Sequence, residues 1–252
     1  MVSDPFDLSG KVALVSGSSG GLGAHFAQVL AGAGAHVILA ARRMEQLEEQ
    51  AHTITKAGGT CSTVALDVTS AESIAAIDEQ LGTVDILINN AGIVRESSAL
   101  DHCEADWDAV IDTNLKGMFL LAQATAKAMR AGGRQGSIIN IASVLGLRQA
   151  AGVLSYAVSK AGAIQLTKTL ALEFARFGIR VNALAPGYLD TELNGAFWQS
   201  EGGKAMIKRI PQRRLGQLEH LDGPLLLLAS DASAYMTGSV LVVDGGHTVS
   251  TL

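Results

Sequence analysis

Seven short apolar runs recur along the chain, each followed by a longer stretch of mixed polarity. They are KVALVS (11–16), AHVILA (35–40), CSTVALD (61–67), VDILIN (84–89), GSIINIA (136–142), IRVNALA (179–185) and SVLVVD (239–244). Their apolar character is nearly continuous rather than alternating, as parallel strands covered on both faces require. Between them the pattern predicts helices near 22–33, 43–57, 70–80, 104–131, 155–177 and 217–230. Such alternation specifies βαβ units with right-handed crossovers, hence an α/β fold with one doubly wound parallel sheet. Ligands of such sheets bind beyond the carboxyl ends of the strands, where the winding reverses. Every motif described below falls just after a strand or on the helix that follows it.

The bulk properties set the limits of function. The 252 residues are enough for one α/β domain spanning 1–252, and no linker, repeat or low-complexity tract divides them. Apolar residues make up 48% against 17% charged, which fits a well-packed interior. The net charge of −5 argues against nucleic acid or an anionic membrane surface as the main partner. The start, MVSDPFDLSGK, is not a secretory signal, and PLLLLAS (224–230) is too short to span a bilayer. Cys61 and Cys103 lack metal-ligand spacing and fit a reducing, cytoplasmic compartment. The six histidines are scattered, so no metal is expected.

After the first run comes SGSSGGLGAHF (16–26), with Gly17, Gly21 and Gly23 leading into a helix. Small residues let the backbone approach a pyrophosphate, and the exposed N–H groups of a helix start bind anions. A plain glycine-rich turn is the alternative, and the position at the first strand–helix junction favours the nucleotide. The second run ends in LAARRMEQ (39–46). A carboxylate for the ribose 2′-OH of NAD is usual there, but this chain has Ala41 followed by Arg42 and Arg43. Two guanidiniums can pair with a 2′-phosphate, so NADP(H) is favoured and NAD(H) remains possible. The alternative is a solvated basic helix start, which would oppose the helix dipole.

SYAVSKAG (155–162) places Tyr156 and Lys160 four positions apart, one turn apart on a helix face. A nearby cation favours a phenolate, so the ammonium is expected to lower the Tyr156 pKa and fit it for proton transfer. The pair alone decides little, and an ordinary amphipathic helix is the favoured reading of it taken by itself.

SGSSGGLG (16–23), LDV (66–68), NNAG (89–92), the asparagine of DTNLKG (Asn114), the serine of NIASVLG (Ser143), YAVSK (156–160), PGYLDT (186–191) and VDGG (243–246) occur in this order. With them the chain resembles the classical short-chain dehydrogenases/reductases along essentially its whole length. The resemblance implies a single-domain Rossmann-type sheet of about seven strands and the interconversion of a ketone or aldehyde and an alcohol with NADP(H). It implies that Tyr156 is the acid/base, that Lys160 lowers its pKa and holds the nicotinamide ribose, and that Ser143 binds the substrate oxygen. Asn114 would hold a water that relays protons to Lys160. For the cofactor it implies Gly17, Ser19, Gly21, Leu22 and Gly23 at the pyrophosphate, with Arg42 and Arg43 at the phosphate. Asp67 and Val68 would meet the adenine, and Asn89, Ala91 and Gly92 its ribose side. Pro186, Gly187, Leu189 and Thr191 would hold the nicotinamide carboxamide. A homotetramer is implied as well.

Ser16 stands where the family usually has Thr, which keeps the hydroxyl. The stretch between Asp67 and Asn89 is shorter than usual, which leaves the helix there open. A nucleotide-sensing protein without turnover is disfavoured because Ser143, Tyr156 and Lys160 are all present. A dehydratase or epimerase on the same scaffold is disfavoured because the motifs are unaltered. The segments 144–154 and 188–210 frame the expected substrate pocket, and Leu145, Val153, Leu154, Tyr188, Phe197, Trp198 and Met206 give it an apolar face. Segment 188–210 is expected to act as a lid; packing of its aromatics on the core is the alternative. Arg95 and Arg148 are expected to be solvated rather than paired with an acidic group.

Overall fold

A computed structural model describes residues 4–190 and 195–250. Seven strands form one sheet in the order β3-β2-β1-β4-β5-β6-β7. They are β1 (Val12–Ser16), β2 (His36–Ala41), β3 (Thr60–Ala65), β4 (Ile86–Asn89), β5 (Gly136–Ile141), β6 (Ile179–Pro186) and β7 (Val240–Val243). Every pairing is parallel, with Ala13 opposite both Val37 and Ile86.

The unbroken apolar runs follow from burial on both faces. Ala13 and Val15 join one core cluster and Leu14 the other, and the same alternation separates Val37 and Leu39 from Ile38. Strand side chains alternate faces, so a run apolar at every position fills both cores at once. Leu14, Val15, Leu87, Ile88, Ile138 and Ile139 are all 0% exposed. Burial of a side chain of this size stabilises by roughly 1.5–3 kcal/mol.

Helices cover both faces. Phe26 and Leu30 of α1 (Gly21–Gly32), Leu47 and Ile54 of α2 (Met44–Lys56) belong to one core. Two short helices, α3 (Ala71–Ala75) and α4 (Asp78–Leu81), put Ile74 and Leu81 into the other. The expected helix over 70–80 is therefore split at Ala76 and Ile77, while Ile74, Ile77 and Leu81 keep helical spacing and stay buried. The expected 104–131 helix is also divided. It runs as α5 (Glu104–Ile111), a π-helical turn (Asp112–Gly117) and α6 (Met118–Ala131).

The YAVSK motif lies on α7 (Leu154–Phe174). Two short helices missing from the sequence reading, α8 (Gly195–Gln199) and α9 (Glu201–Ile207), follow β6. They were hidden because Gly195, Gly202 and Gly203 read as loop signals. The last helix, α10 (Asp222–Ala229), returns to the face of α1 through Leu225 and Leu228. From β1 the chain winds outward to β3 and then crosses back to β4, so the reversal lies between β1 and β4. Among the described residues no helix is long and apolar enough to cross a membrane.

Candidate active site

The glycine loop is fastened to the end of β4 by side chains on both sides of the reversal. The Ser16 hydroxyl accepts from the backbone N–H groups of Asn90 (3.1 Å) and Ala91 (3.2 Å). Asn90 answers by donating its Nδ2 to the carbonyls of Ser16 (3.0 Å) and Gly17 (3.3 Å). The fully buried Ser18 accepts from Ala40 N–H at 2.9 Å and pins the loop to β2. Gly17 sits at φ +69°, and a Cβ there would lie 2.9 Å from Ala91 Cα. A Cβ on Gly23 would lie 2.3 Å from the Gly17 carbonyl oxygen. Both positions therefore need glycine. The first turn of α1 carries no acidic residue and Gly20 offers no side-chain cap, so its N–H groups are available to an anion. These features fit a dinucleotide pyrophosphate.

The second element of the candidate site is at the end of β2. Arg42 and Arg43 are exposed, and Arg43 Nη2 donates to Ser19 Oγ at 3.0 Å. Asp67 is held below the usual carboxylate range, first by the Thr69 hydroxyl and N–H, with a smaller contribution from the Arg42 charge. Its Oδ1 accepts both Thr69 bonds, at 2.7 and 2.9 Å. Val68 is buried and lies against Gly117. Asn89 is turned inward, donating to Asn140 Oδ1 and to the Met118 carbonyl at 3.1 Å each. Its side chain braces the sheet against α6, whereas Ala91 and Gly92 stand at the strand's exit.

Ser143, Tyr156 and Lys160 come together beyond β5. Ser143 is extended, and its Oγ accepts from Leu145 N–H at 3.1 Å as the chain enters a turn at Val144–Gly146. That turn packs so closely on α7 that a Cβ on Gly146 would lie 2.7 Å from the Lys160 carbonyl oxygen. Lys160 is only 4% exposed; its Nζ donates to the Ile141 carbonyl at 2.6 Å and lies 5.6 Å from the Tyr156 ring centroid. Burial lowers its pKa to about 8. The Tyr156 phenol departs from the sequence expectation. Burial pushes it above its ordinary value, and the facing Ser143 hydroxyl opposes this only in part. Desolvation wins because the buried ammonium gives its hydrogen bond to a backbone carbonyl instead of the phenol.

Asn114 lies in the π-helical turn and is fully buried. Its Oδ1 accepts from Ile93 N–H (2.8 Å), and its Nδ2 donates to the Ile93 carbonyl (2.9 Å) and Ser159 Oγ (3.1 Å). Ser159 in turn donates to the Tyr156 carbonyl at 2.7 Å. Asn114 thus reaches α7 through Ser159. The extra residue of a π turn redirects a side chain without ending the helix. Asn90, Ser159 and Gly146 were missed from sequence, although Asn90 belongs to NNAG and Ser159 to YAVSK.

At the end of β6, Pro186 is buried and Gly187 N–H donates to the Val243 carbonyl at 2.9 Å. Leu189 is buried and bridges to Gly216. Thr191 lies outside the described residues. Trp198 is 7% exposed and stacks edge-on against Tyr188, 5.4 Å between centroids, while Phe197 is 47% exposed. Arg95 pairs with Asp106 at 3.3 Å. Arg148 differs from its expected solvated state, for it binds the C-terminal turn. Among the described residues no three His, Cys, Asp or Glu side chains cluster as metal ligands.

A family model described as Enoyl-(Acyl carrier protein) reductase matches residues 17–248. Gluconate 5-dehydrogenase of Gluconobacter oxydans is 40% identical over 252 residues, covering 98% of each chain. The 3-oxoacyl-(acyl-carrier-protein) reductase of Thermotoga maritima is 39% identical over 246 residues, covering 96% of this chain and 99% of its own. The crystal structure of a gluconate 5-dehydrogenase from Burkholderia cenocepacia, in complex with NADP and tartrate, superposes with a TM-score of 0.93. It is 37% identical and covers 98% of this chain and 99% of that one. With its sheet order and glycine loop, the chain belongs to the classical short-chain dehydrogenase/reductase family, as an NAD(P)(H)-dependent oxidoreductase acting on a ketone/alcohol pair.

Proposed function

We propose that Tyr156 is the acid/base of this oxidoreductase, that Ser143 holds the reacting oxygen, and that Lys160 controls the phenol's proton. The observation that carries this reading is the meeting of a phenol, a hydroxyl and a buried ammonium at the exit of β5. The bound nicotinamide supplies or accepts the hydride. In the reducing direction Tyr156 gives its proton to the carbonyl oxygen as charge builds there, while Ser143 donates a hydrogen bond to the same oxygen. Asn114 supports the geometry through Ser159 and Ile93, beside the relay water expected for it.

For the cofactor, Gly17, Ser19, Gly21, Leu22 and Gly23 take the pyrophosphate and Arg42 and Arg43 a 2′-phosphate. Asp67, Val68, Ala91 and Gly92 line the adenosine side, with Asn89 bracing the strand behind them. Pro186, Gly187, Leu189 and Thr191 take the carboxamide. NADP(H) is the preferred cofactor, supported by the exposed guanidiniums and by the NADP in the Burkholderia relative. The unpaired Cys61 and Cys103 agree with work in a reducing cytoplasm.

The substrate is a small carbonyl compound with a hydrophobic face, supported by the exposure of Val94, Leu147, Leu154 and Phe197. Segment 188–210 is proposed to close over it, although the buried Trp198 favours a packing role for that one residue. A second reading, a hydroxy acid, is favoured by the gluconate-named relatives. NADPH oxidation with aliphatic and cyclic ketones beside 5-ketogluconate separates the two. We also propose a homotetramer, supported by Leu172, 81% exposed on α7, and by the free edge of β7. Light scattering at micromolar concentration is expected to give four chains; a monomer contradicts it.

Two variants test the chemistry. Tyr156→Phe removes only the transferable proton, so it is expected to abolish turnover while leaving folding and NADPH binding nearly intact. Retention of more than a small part of the activity with the best substrate would overturn the assignment. Arg42→Ala is expected to weaken NADPH far more than NADH in binding titrations, because a charge-assisted phosphate contact is lost. Equal affinity of the wild type for both nucleotides would contradict the NADP preference.

A further inference from the structure

We propose that Arg148 and His247 are positioning residues that clasp the Ser143 loop to the loop after β6. The proposal rests on the reading of Ser143 and Tyr156 above and adds two residues that no family motif in this chain includes. Arg148 lies five residues beyond Ser143 on the same loop, and its N–H donates to the Val144 carbonyl at 2.8 Å. Its Nη1 donates to the His247 carbonyl, and to Ser250 Oγ at 2.8 Å. Ser250 Oγ donates to that same His247 carbonyl at 2.9 Å, so one oxygen gathers both groups.

The C-terminal turn that receives the guanidinium is itself built to be rigid. The Asp244 carboxylate accepts from Gly246 N–H (2.8 Å) and Thr248 N–H (2.7 Å). Gly245 O accepts from Gln212 N–H at 3.1 Å, tying the turn to the chain after α9. From this turn the His247 ring meets Tyr188 edge-on, 5.2 Å between centroids. Tyr188 directly follows Gly187, and its carbonyl accepts from Gly216 N–H at 2.9 Å.

A continuous chain of contacts therefore runs from the Ser143 loop through Arg148, the His247 backbone and the His247 ring to Tyr188. The two loops it joins leave adjacent strands, β5 and β6. Burial and the charges of Arg148 and Arg209 lower the His247 pKa against the pull of Asp244, so the ring packs uncharged at neutral pH. Arg148 Nη1 is thus engaged by the C-terminal turn. With the clasp open, the Ser143 hydroxyl and the substrate oxygen lose their common frame, and displacements near 1 Å cost on the order of a hundredfold in rate.

The test uses Arg148→Met, Arg148→Lys and His247→Ala in the full-length enzyme. With the best ketone, Arg148→Met is expected to lower kcat by roughly ten- to a hundredfold while the Kd for NADPH stays within about twofold. Arg148→Lys is expected to recover part of the loss. The double variant with His247→Ala is expected to be no worse than the more damaged single one, because both cut one chain of contacts. A folded Arg148→Met enzyme with wild-type kcat, or strictly additive losses, would overturn the proposal. Hydrogen exchange gives a readout independent of turnover, so a wild type inactive on every ketone would sink the catalytic reading alone. Arg148→Met is expected to raise exchange together in 143–148, 186–190 and 245–250. A rise confined to 143–148 would contradict the clasp.

Discussion

The proposed site depends on a lysine ammonium held almost out of water, with no carboxylate beside it among the described residues. Lys160 Nζ donates to the carbonyl of Ile141 at 2.6 Å, and burial lowers its pKa from 10.5 to about 8. At about 1.4 kcal/mol per unit, that environment disfavours the charged form by roughly 3 kcal/mol. A folded chain tolerates such a group where burial is an advantage, and here the same helix presents Tyr156 one turn earlier. Everything around α7 holds this pair: Gly146 admits the Ser143 turn against the Lys160 backbone, and Asn114 reaches in through Ser159.

The cofactor side obeys a geometric constraint of a different kind. The winding of the sheet reverses between β1 and β4, and that is where the glycine loop sits. Because Gly17 and Gly23 leave no room for a Cβ, the start of α1 can press against the Asn90 loop and keep its N–H groups turned outward. Two serine hydroxyls, on Ser16 and Ser18, fix the loop to β2 and to the exit of β4. The proposed catalytic corner at the exit of β5 is one strand beyond β4. A dinucleotide laid across the crevice would reach both.

Much of this was legible in the sequence, and the failures have definite causes. All seven strands were readable to within a residue or two because burial on both faces leaves little freedom for polar residues in a run such as VDILIN. The glycine loop and YAVSK were readable because their spacing is dictated by backbone geometry and helical period. The π turn at Asp112–Gly117 was not, since DTNLKG keeps a helical pattern and the redirection comes from the Asn114 side chain bonding to distant Ile93. Nor was the direction of the Tyr156 pKa. Spacing places a cation nearby, but only packing reveals that desolvation outweighs it. The grip of Arg148 on the C-terminal turn joins residues about a hundred positions apart, and nothing local announces it.

In the proposed mechanism Tyr156 is a neutral, desolvated phenol in the free protein and is made acidic by positive charge. Ultraviolet titration of the phenolate band, taken as wild type minus Tyr156→Phe, reads this group alone. Without nucleotide the midpoint is expected above the ordinary phenol value of 10.0. Addition of NADP⁺ brings a second positive charge beside the phenol and should move the midpoint down, and less so in Lys160→Met. A midpoint at or below 10.0 in the free protein, or one that NADP⁺ leaves in place, would contradict the account.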